Sequence, residues 1–306
     1  MSHPTHEAGR EIYFALQRLA RQQDRDTQEL LTLYALEGIL ARLEISPYRE
    51  QLVIKGGILL AAFAQRRPTR DLDLHAYALA RDGDTVRNLI VDVAAISLDD
   101  GLIFDTANAT AQMIREDDQY NGVRVSFDGN LFTAKLSVKV DVNVGDPVWP
   151  APQDVNFPRL LSVEPLRLRG YPLHMVLAEK LVTALDRGMA NTRWRDFADI
   201  YLLCRNFPID GTDLVEATAR VAEHRRVELF PVDEVLNGFA EFAQSRWVVW
   251  RARHDLADRL PETFAVVVST IAALGDPVVT KTAVDARWDP VLLSWDFTSS
   301  HEDLSR

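Results

Sequence analysis

Residues 55–75, KGGILLAAFAQRRPTRDLDLH, begin with two glycines and end in a hydrophobic segment that holds two aspartates. Asp71 and Asp73 alternate with leucines, and successive side chains of a strand point to opposite faces, so both carboxylates lie on one face. Two carboxylates this close repel each other unless a proton or a cation separates them. Taken alone, the pair is better explained by a solvated strand end.

Other residues change this interpretation. Gly56 and Gly57 precede the aspartates, and glycines let backbone N–H groups approach a bound anion. The segment SVKVDVNVG at 137–145 puts Asp141 and Asn143 on one face of a strand and valines on the other. Carboxylates on two strands beside a glycine turn suit Mg²⁺, which prefers oxygen ligands and completes its shell with substrate phosphates. The pattern predicts phosphoryl or nucleotidyl transfer with two Mg²⁺ ions.

The composition is that of an ordinary globular protein. The chain has 306 residues, of which 47% are hydrophobic and 26% charged, which allows two domains. The single cysteine, Cys204, excludes an internal disulfide and a cysteine-based zinc site. A net charge of −11 disfavours a uniform nucleic-acid coat but allows a local basic patch. No stretch resembles a signal peptide or approaches the ~20 apolar residues of a membrane span. We therefore expect a cytoplasmic protein without membrane contact.

Hydrophobic periodicity divides the chain into an α/β half and a helical half, which we expect to be domains at 1–170 and 171–306. The first half is expected to hold two helices within 8–45, a short helix at 58–65, a strand at 71–77 and a helix capped by Asp84. One mixed sheet is expected at 102–144, with Asn121-Gly122 and Asp128-Gly129 as turns, and one or two short strands at 159–169. Helices follow after Pro172, one of them at 232–244.

The order of these motifs resembles a known superfamily. Gly56-Gly57, then RPTRDLD at 67–73, then Asp141 are similar to the nucleotidyltransferases of the DNA polymerase β type. More narrowly, the chain resembles the AbiEii/AbiGii toxin family, which includes the mycobacterial MenT toxins. AEKLVTALDRG at 178–188 matches that family's lysine-bearing helix, and RWRDFADIYLL at 193–203 its R-x-x-D-h-x-D helix. The resemblance covers about residues 52–203 and implies a mixed α/β sheet with flanking helices, followed by a helical C-terminal domain.

The resemblance also implies roles for the matching residues. Asp71, Asp73 and Asp141 would hold two Mg²⁺ ions, with Mn²⁺ as a substitute, and Asp141 would help to activate the acceptor hydroxyl. Lys180 and Asp196 would complete the catalytic set. The residues implied to bind the nucleotide are Lys55, Gly56, Gly57, Thr69, Lys180 and Arg187. In some relatives the position of Thr69 is modified by the cognate antitoxin, so phosphorylation of Thr69 is a hypothesis.

The two motif helices also have a simpler interpretation. On 175–187, Leu177, Leu181 and Ala184 form a core stripe, which leaves Lys180 and Arg187 on a flank that would be able to face phosphate; the alternative is a solvated pair of Glu179 and Lys180. On 193–204 the spacing predicts a core stripe and an ion pair between Arg195 and Asp199. Asp196 either takes part in catalysis or bonds Lys180 or a nearby arginine as structural support. The predicted core residues of 193–204 are Phe197, Ile200, Tyr201 and Cys204.

Weaker features concern an RNA partner. Trp247 and Trp250 would stack on bases or pack in the core, and core packing is the favoured interpretation. His75 would line the pocket or end its strand. The arginines that could contact RNA phosphates, or lie at solvated helix ends, are Arg193, Arg195, Arg225 and Arg226.

Together these features predict a Mg²⁺-dependent nucleotidyltransferase that acts as the toxin of a toxin–antitoxin or abortive-infection pair. By resemblance, it would transfer NMP from an NTP, with a pyrimidine favoured, to an RNA acceptor, above all the 3′ end of tRNA, and so block translation. The expected partners are the NTP, the RNA and a cognate antitoxin. One alternative is the same chemistry on a protein hydroxyl or a small molecule. Another is an inactive binding protein with this fold.

Overall fold

The computed structural model describes residues 4–64, 69–77, 79, 82–116 and 120–297. Arg67 and Pro68 of the motif at 67–73 lie outside these residues. The chain forms two compact units, the first made of residues 1–146 and 152–171 and the second of 147–151 and 172–306. Within the described residues, no helix has the length and hydrophobicity required to cross a membrane.

The first unit is built on a seven-stranded mixed sheet, which confirms the predicted fold class. Its strands are β1 Leu52–Lys55, β2 Leu72–Ala76, β3 Leu102–Glu116, β4 Tyr120–Leu131, β5 Ala134–Val144, β6 Gln153–Phe157 and β7 Leu166–Gly170. Its helices are α1 Pro4–Gln22, α2 Thr27–Ile45, α3 Gly56–Leu59 and α4 Gly83–Ala94. The strand order is β3-β4-β5-β2-β1-β7-β6. The pairs β2–β5 and β1–β7 are parallel, and the other neighbours are antiparallel.

Helix α2 packs against β5 and β7 and is buried on nearly all sides. Because most of its residues are apolar, its hydrophobic surface lies in the core of the first unit. Its two buried charges have partners, as burial requires. Arg42 donates to both carboxylate oxygens of Asp100 at 2.6 and 3.1 Å, and Glu37 accepts from the backbone N–H of Leu160 at 2.8 Å.

The predicted turns at Asn121-Gly122 and Asp128-Gly129 are wrong, because both pairs lie inside β4. The two-residue hairpin between β4 and β5 is at 132–133, where Phe132 has a φ of 54°. At Gly129 an added Cβ would meet the Phe104 ring at 2.9 Å. The glycine therefore provides space for an aromatic ring instead of a reversal of the chain.

Some boundaries also differ from the predictions. Helix α3 begins at Gly56 and is followed by turns, so it starts before the predicted residue 58. Helix α4 is capped by Asp82, not Asp84, because the Asp82 carboxylate accepts from the backbone N–H groups of Asp84 and Thr85. Within 159–169 the structure has β7, whereas β6 precedes this range.

The second unit is mainly helical. Its helices are α5 Leu173–Arg187, α6 Trp194–Asn206, α7 Gly211–Arg225, α8 Val232–Val235, α9 Phe239–Arg253 and α10 Phe264–Val279. The helix predicted at 232–244 is split, because α8 ends at Val235 and Gly238, with a φ of 76°, is the N-cap residue of α9. A small sheet was not predicted, since strands of two or three residues carry no periodicity. Its strands are β8 Ile209–Asp210, β9 Arg287–Asp289 and β10 Ser294–Asp296.

The core of the second unit is aromatic. Phe239 and Phe264 lie with their ring centroids 5.8 Å apart, and Phe197 contacts both rings. Trp194 stacks on Phe239, and Trp247 stacks on Phe264 at 4.8 Å. The core stripe predicted on α6 is confirmed, because all four of its residues are buried.

Candidate active site

The predicted carboxylates lie on neighbouring strands of the first unit. Asp73 on β2 is opposite Asp141 on the parallel strand β5. On the outer sides of this pair, Lys55 of β1 is opposite Asp73, and Arg124 of β4 is opposite Asp141. Residues opposite each other in register present their side chains on the same face of a sheet. A charged row therefore crosses four strands in the order Arg124, Asp141, Asp73, Lys55.

Arg124 binds Asp141 with both arms of its guanidinium. Its Nε donates to Oδ1 at 2.7 Å and its Nη2 to Oδ2 at 2.6 Å. The same Nη2 lies 3.9 Å from Oδ2 of Asp71. The hydrogen bonds to Asp141 raise the pKa of the guanidinium above its ordinary value, and the other two carboxylates add to the shift. Arg124 therefore stays charged at any physiological pH.

Sequence reasoning missed Arg124. Its signal was the alternation VRV at 123–125, in which buried valines flank a single charged residue. That pattern indicates that Arg124 faces away from the valine side of β4. Its partner depends on the register between β4 and β5, which the sequence of one strand does not contain.

The carboxylates suit a divalent cation. Asp71 and Asp73 carry oxygen ligands of the kind Mg²⁺ prefers, and Mg²⁺ needs only one or two carboxylates when phosphates complete its shell. Carboxylate oxygens of Asp141 and Asp71 both lie near one positively charged group, the Arg124 guanidinium. Among the described residues, no group of three His, Cys, Asp or Glu side chains is close enough to hold a metal ion together. Asp71 and Asp73 would hold the ion, whereas both oxygens of Asp141 are engaged by Arg124.

Gly56 stands where β1 passes into α3, directly beside Asp73. Its φ is 63°, in the left-handed region, and an added Cβ would lie 2.0 Å from Oδ2 of Asp73. Only glycine satisfies both constraints, because every other residue places an atom there. The glycine thus brings the Asp73 carboxylate close to the backbone at the start of α3. Gly57 is buried in the first turn of this helix.

We expect Gly56→Ala to destabilise the first unit by about 3 kcal/mol or more and to displace Asp73, since it combines backbone strain with a steric clash. Gly238→Ala is the matched control, because Gly238 has a φ of 76° and no atom within 4 Å of an added Cβ. This control should cost only the strain, about 1–2 kcal/mol. Urea unfolding measures both variants. Equal losses would contradict the proposed contact with Asp73.

The remaining predicted residues of the first unit have structural contacts. Lys55 is buried, donates from Nζ to Oδ2 of Asp146 at 3.0 Å and lies 5.1 Å from the centre of the Tyr171 ring. Thr69 is partly exposed, and its hydroxyl donates to the backbone oxygen of Asp71 at 3.3 Å. His75 is 1% exposed and packs against aromatic rings, so it belongs to the core of the sheet.

In the second unit, Lys180 is buried between two aspartates. Its Nζ donates to Oδ1 of Asp196 at 2.9 Å and to Oδ2 of Asp199 at 2.7 Å. Asp196 also accepts from Nε of Arg193 at 2.5 Å. Burial alone would raise the pKa of Asp196, but Lys180 and Arg193 outweigh it and hold that pKa well below its usual range. The structural alternative for Asp196, a bond to Lys180 and a nearby arginine, is therefore confirmed as its contact.

The ion pair predicted between Arg195 and Asp199 is wrong, and so is the alternative of a solvated pair of Glu179 and Lys180. Asp199 is buried and faces Lys180, whereas its predicted partner Arg195 is exposed. Lys180 is 8% exposed, so it forms no solvated pair with Glu179. The sequence pattern of one helix could not reveal this, because the aspartates of α6 meet a lysine of α5. Arg187 is half-buried at the end of α5.

Of the residues considered for RNA contact, some are engaged within the protein and others remain partly accessible. Trp247 is fully buried and donates from Nε1 to the backbone oxygen of Pro261 at 2.9 Å, which confirms the core interpretation. Arg225 donates to the hydroxyl of Thr183 at 2.7 Å. Trp250 is only half-buried and stacks between Trp247 and His254, with centroid distances of 5.4 and 4.8 Å.

A cleft of about 490 Å³ opens beside Trp250 on the surface of α9. Arg246, Arg253 and His254 contribute to its lining, and all three are exposed. From residue 242 to 254 the chain has three arginines and no acidic residue. The cleft therefore combines aromatic surface with positive charge, although the chain as a whole is acidic.

The mixed sheet, with aspartates on adjacent strands next to a glycine turn, is the arrangement expected of a nucleotidyltransferase fold. The family described as nucleotidyl transferase AbiEii toxin, type IV TA system, matches residues 38–269. The chain belongs to this AbiEii family.

The structure of JHP933 from Helicobacter pylori is similar with a TM-score of 0.49 and 16% identity, over 84% of this chain and 96% of that chain. A second H. pylori protein, named as a nucleotidyltransferase, has a TM-score of 0.47 and 17% identity, over 84% and 98% of the two chains. No curated protein matches the chain.

Proposed function

We propose that this chain is a Mg²⁺-dependent nucleotidyltransferase toxin that transfers NMP from an NTP to an RNA acceptor, in particular the 3′ end of tRNA. The observation that carries the proposal is the pair Asp73 and Asp141 on adjacent strands, with Asp71 and Gly56 beside them. Membership of the AbiEii family supports the class of reaction and implies an antitoxin partner. Extension of the 3′ end of tRNA would block aminoacylation and so halt translation.

In the proposed reaction, the oxygen of an acceptor hydroxyl attacks the α-phosphorus of the NTP in line. The bond from the α-phosphorus to the bridging oxygen of the β-phosphate breaks, pyrophosphate leaves, and the hydroxyl proton passes to solvent. Asp71 and Asp73 would hold Mg²⁺, which when bound stabilises negative charge on the attacking and leaving oxygens. Gly56 leaves room for the Asp73 carboxylate beside the start of α3, since it has no side chain.

The cleft on α9 favours RNA as the acceptor over a protein or a small molecule. Guanidinium groups bind phosphates, and aromatic rings stack on bases regardless of sequence. Arg246 and Arg253 would contact phosphates, and His254 is the exposed end of the ring stack that includes Trp250. Arg251 instead donates to the backbone oxygen of Leu260 at 2.8 Å, so it supports the cleft.

Removal of two phosphate contacts should weaken RNA binding and flatten its salt dependence. For Arg246→Gln/Arg253→Gln we expect the slope of log K against log salt to fall by about 1.4, since single strands contribute ~0.7 per phosphate. Filter binding of total tRNA at several salt concentrations measures the slope. Arg287→Gln, at an exposed arginine of β9, is the control and should leave it unchanged. An unchanged slope in the double variant would remove the cleft from the RNA surface.

The reaction is tested with each of the four NTPs, labelled at the α-phosphate, in separate mixtures with total tRNA, protein lysate or neither. We expect label in tRNA, dependent on Mg²⁺ and absent with Asp71→Ala. Label in protein would replace the RNA acceptor by a protein hydroxyl. Label in neither fraction, together with no uptake of NTP by calorimetry, would support an inactive binding protein.

Thr69 adds a proposal about regulation. Its partly exposed hydroxyl lies beside Asp71, so a phosphate there would bring negative charge next to the metal-binding carboxylates. We expect the cognate antitoxin to modify Thr69. Mass spectrometry of the co-expressed pair tests this, and an unmodified Thr69 would exclude it.

A further inference from the structure

Arg124 occupies both carboxylate oxygens of Asp141, the residue that resemblance assigns to metal binding. A bidentate pair of arginine and carboxylate is strong and geometrically specific. The Asp141 side chain is 10% exposed, whereas that of Arg124 is 32% exposed, so the guanidinium separates the carboxylate from solvent. On the other face of β4, Val123 and Val125 are buried in the core and hold the strand in place.

We propose that Arg124 binds the phosphates of the nucleotide and that Asp141 positions it, so that in this chain the third carboxylate serves an arginine instead of a metal ion. This inference rests on the proposed function. Asp71 and Asp73 remain the carboxylates that would hold Mg²⁺. Arg124 is the phosphate ligand, and Asp141 is the positioning residue.

The donor geometry supports this assignment. The contacts with Asp141 use Nε and Nη2, and within the described part of the chain Nη1 makes no hydrogen bond. The two N–H groups of Nη1 can therefore donate to a phosphate oxygen while the fork on Asp141 stays intact. Because Nη2 is 3.9 Å from Asp71, such a phosphate would lie next to the carboxylates that bind its counter-ion. A planar guanidinium matches phosphate in a way that the lysine point charge does not.

The charge balance of the site also supports the assignment of Arg124 as the phosphate ligand. A triphosphate that approaches Asp71, Asp73 and Asp141 meets like charge, and Arg124 neutralises the one of these that is most deeply buried. The same guanidinium stabilises the negative charge that develops on the phosphates as pyrophosphate leaves. The backbone at Arg124 is held in place, since β4 is paired on both sides.

Binding of α,β-methylene analogues of the four NTPs, measured by calorimetry with Mg²⁺, tests the role of Arg124. Arg124→Gln should weaken binding of the preferred analogue about tenfold to a hundredfold, as expected for charged hydrogen bonds. Arg124→Lys should recover part of this loss, because it keeps the charge but not the fork. Arg169→Gln, at another partly exposed arginine of the same sheet, is the matched control and should bind as the wild type does.

A double-mutant cycle then separates positioning from direct binding. Asp141→Asn should weaken binding of the analogue about threefold to tenfold, and Arg124→Gln/Asp141→Asn should be no weaker than Arg124→Gln alone. Additive losses would overturn the positioning role of Asp141. Thermal unfolding identifies any variant that does not fold. If Arg124→Gln does not fold, Arg124→Lys takes its place in the comparison.

Binding of Mn²⁺ without nucleotide, followed by electron paramagnetic resonance, tests whether Asp141 is a metal ligand. We expect Asp141→Asn to bind Mn²⁺ within about twofold of the wild type and Asp71→Asn to lose about tenfold or more. If Asp141→Asn lost a comparable amount of Mn²⁺ affinity and Arg124→Gln bound Mn²⁺ more tightly than the wild type, the inference about Arg124 would be overturned while the proposed function would stand. If the wild type binds neither Mn²⁺ nor any analogue, the proposed function itself fails.

Discussion

Asp73→Asn is expected to lower the rate of nucleotide transfer by about three orders of magnitude or more, which corresponds to roughly 4 kcal/mol of transition-state stabilisation. Asparagine has nearly the same shape as aspartate but no negative charge. It therefore cannot keep Mg²⁺ in place beside the triphosphate. The fold should persist, since the substitution also removes the repulsion between Asp73 and Asp141, which face each other in register.

The rate is measured in single turnover with labelled NTP and tRNA, and the fold by thermal unfolding. Asp128→Asn is the matched control, because Asp128 is exposed on β4 in the same sheet. It should transfer nucleotide at the wild-type rate. If Asp73→Asn kept more than about a tenth of the rate, Asp73 would not be a ligand of the catalytic ion.

Lys180→Met is expected to destabilise the second unit by about 3–5 kcal/mol. Methionine fills similar space but leaves Asp196 and Asp199, with side chains 3% and 4% exposed, without their shared cation. The loss of a cation that two buried charges share is among the costlier single defects in a protein. Urea unfolding should show a lower midpoint with an unchanged slope.

Two further variants test whether the instability of Lys180→Met comes from charge or from packing. Arg195→Met removes an exposed charge from the same helix as Asp196 and should change stability by less than about 0.5 kcal/mol. Lys180→Met/Asp196→Asn/Asp199→Asn removes all three charges and should recover much of the loss, because neutral groups cost less to bury. A triple variant as unstable as Lys180→Met would show that packing, not charge, dominates.

The same cluster makes stability depend on acid pH. The pKa of Asp196 is lowered in the folded chain, so the folded state binds fewer protons than the unfolded state as pH falls. Its contribution is complete above the unfolded pKa of about 3.9 and is lost as the pH falls below it. Lys180→Met should be less sensitive to acid over that range than the wild type.

Local patterns predicted much of the first unit. Alternation along a strand predicted β2 and its Asp73, but β2 begins at Leu72, so Asp71 lies one residue before the strand that was predicted to include it. The strand β5 was found from its alternating valines for the same reason. The helices α5 and α6 followed from a period near 3.6. Asp128-Gly129 misled the turn prediction, because a glycine that makes room for Phe104 has the same sequence signature as a turn glycine.

By itself, the sequence determined which residues share a face of one element, and through its motifs the family. The tertiary structure decided which charges meet. Arg124 binds Asp141 only because β4 and β5 pair in one register, and Lys180 takes both aspartates only because α5 packs on α6. Periodicity acts over a few residues of one element, whereas these partners are 16 to 19 residues apart in the chain. Their contacts depend on register and packing, which arise only when the elements assemble.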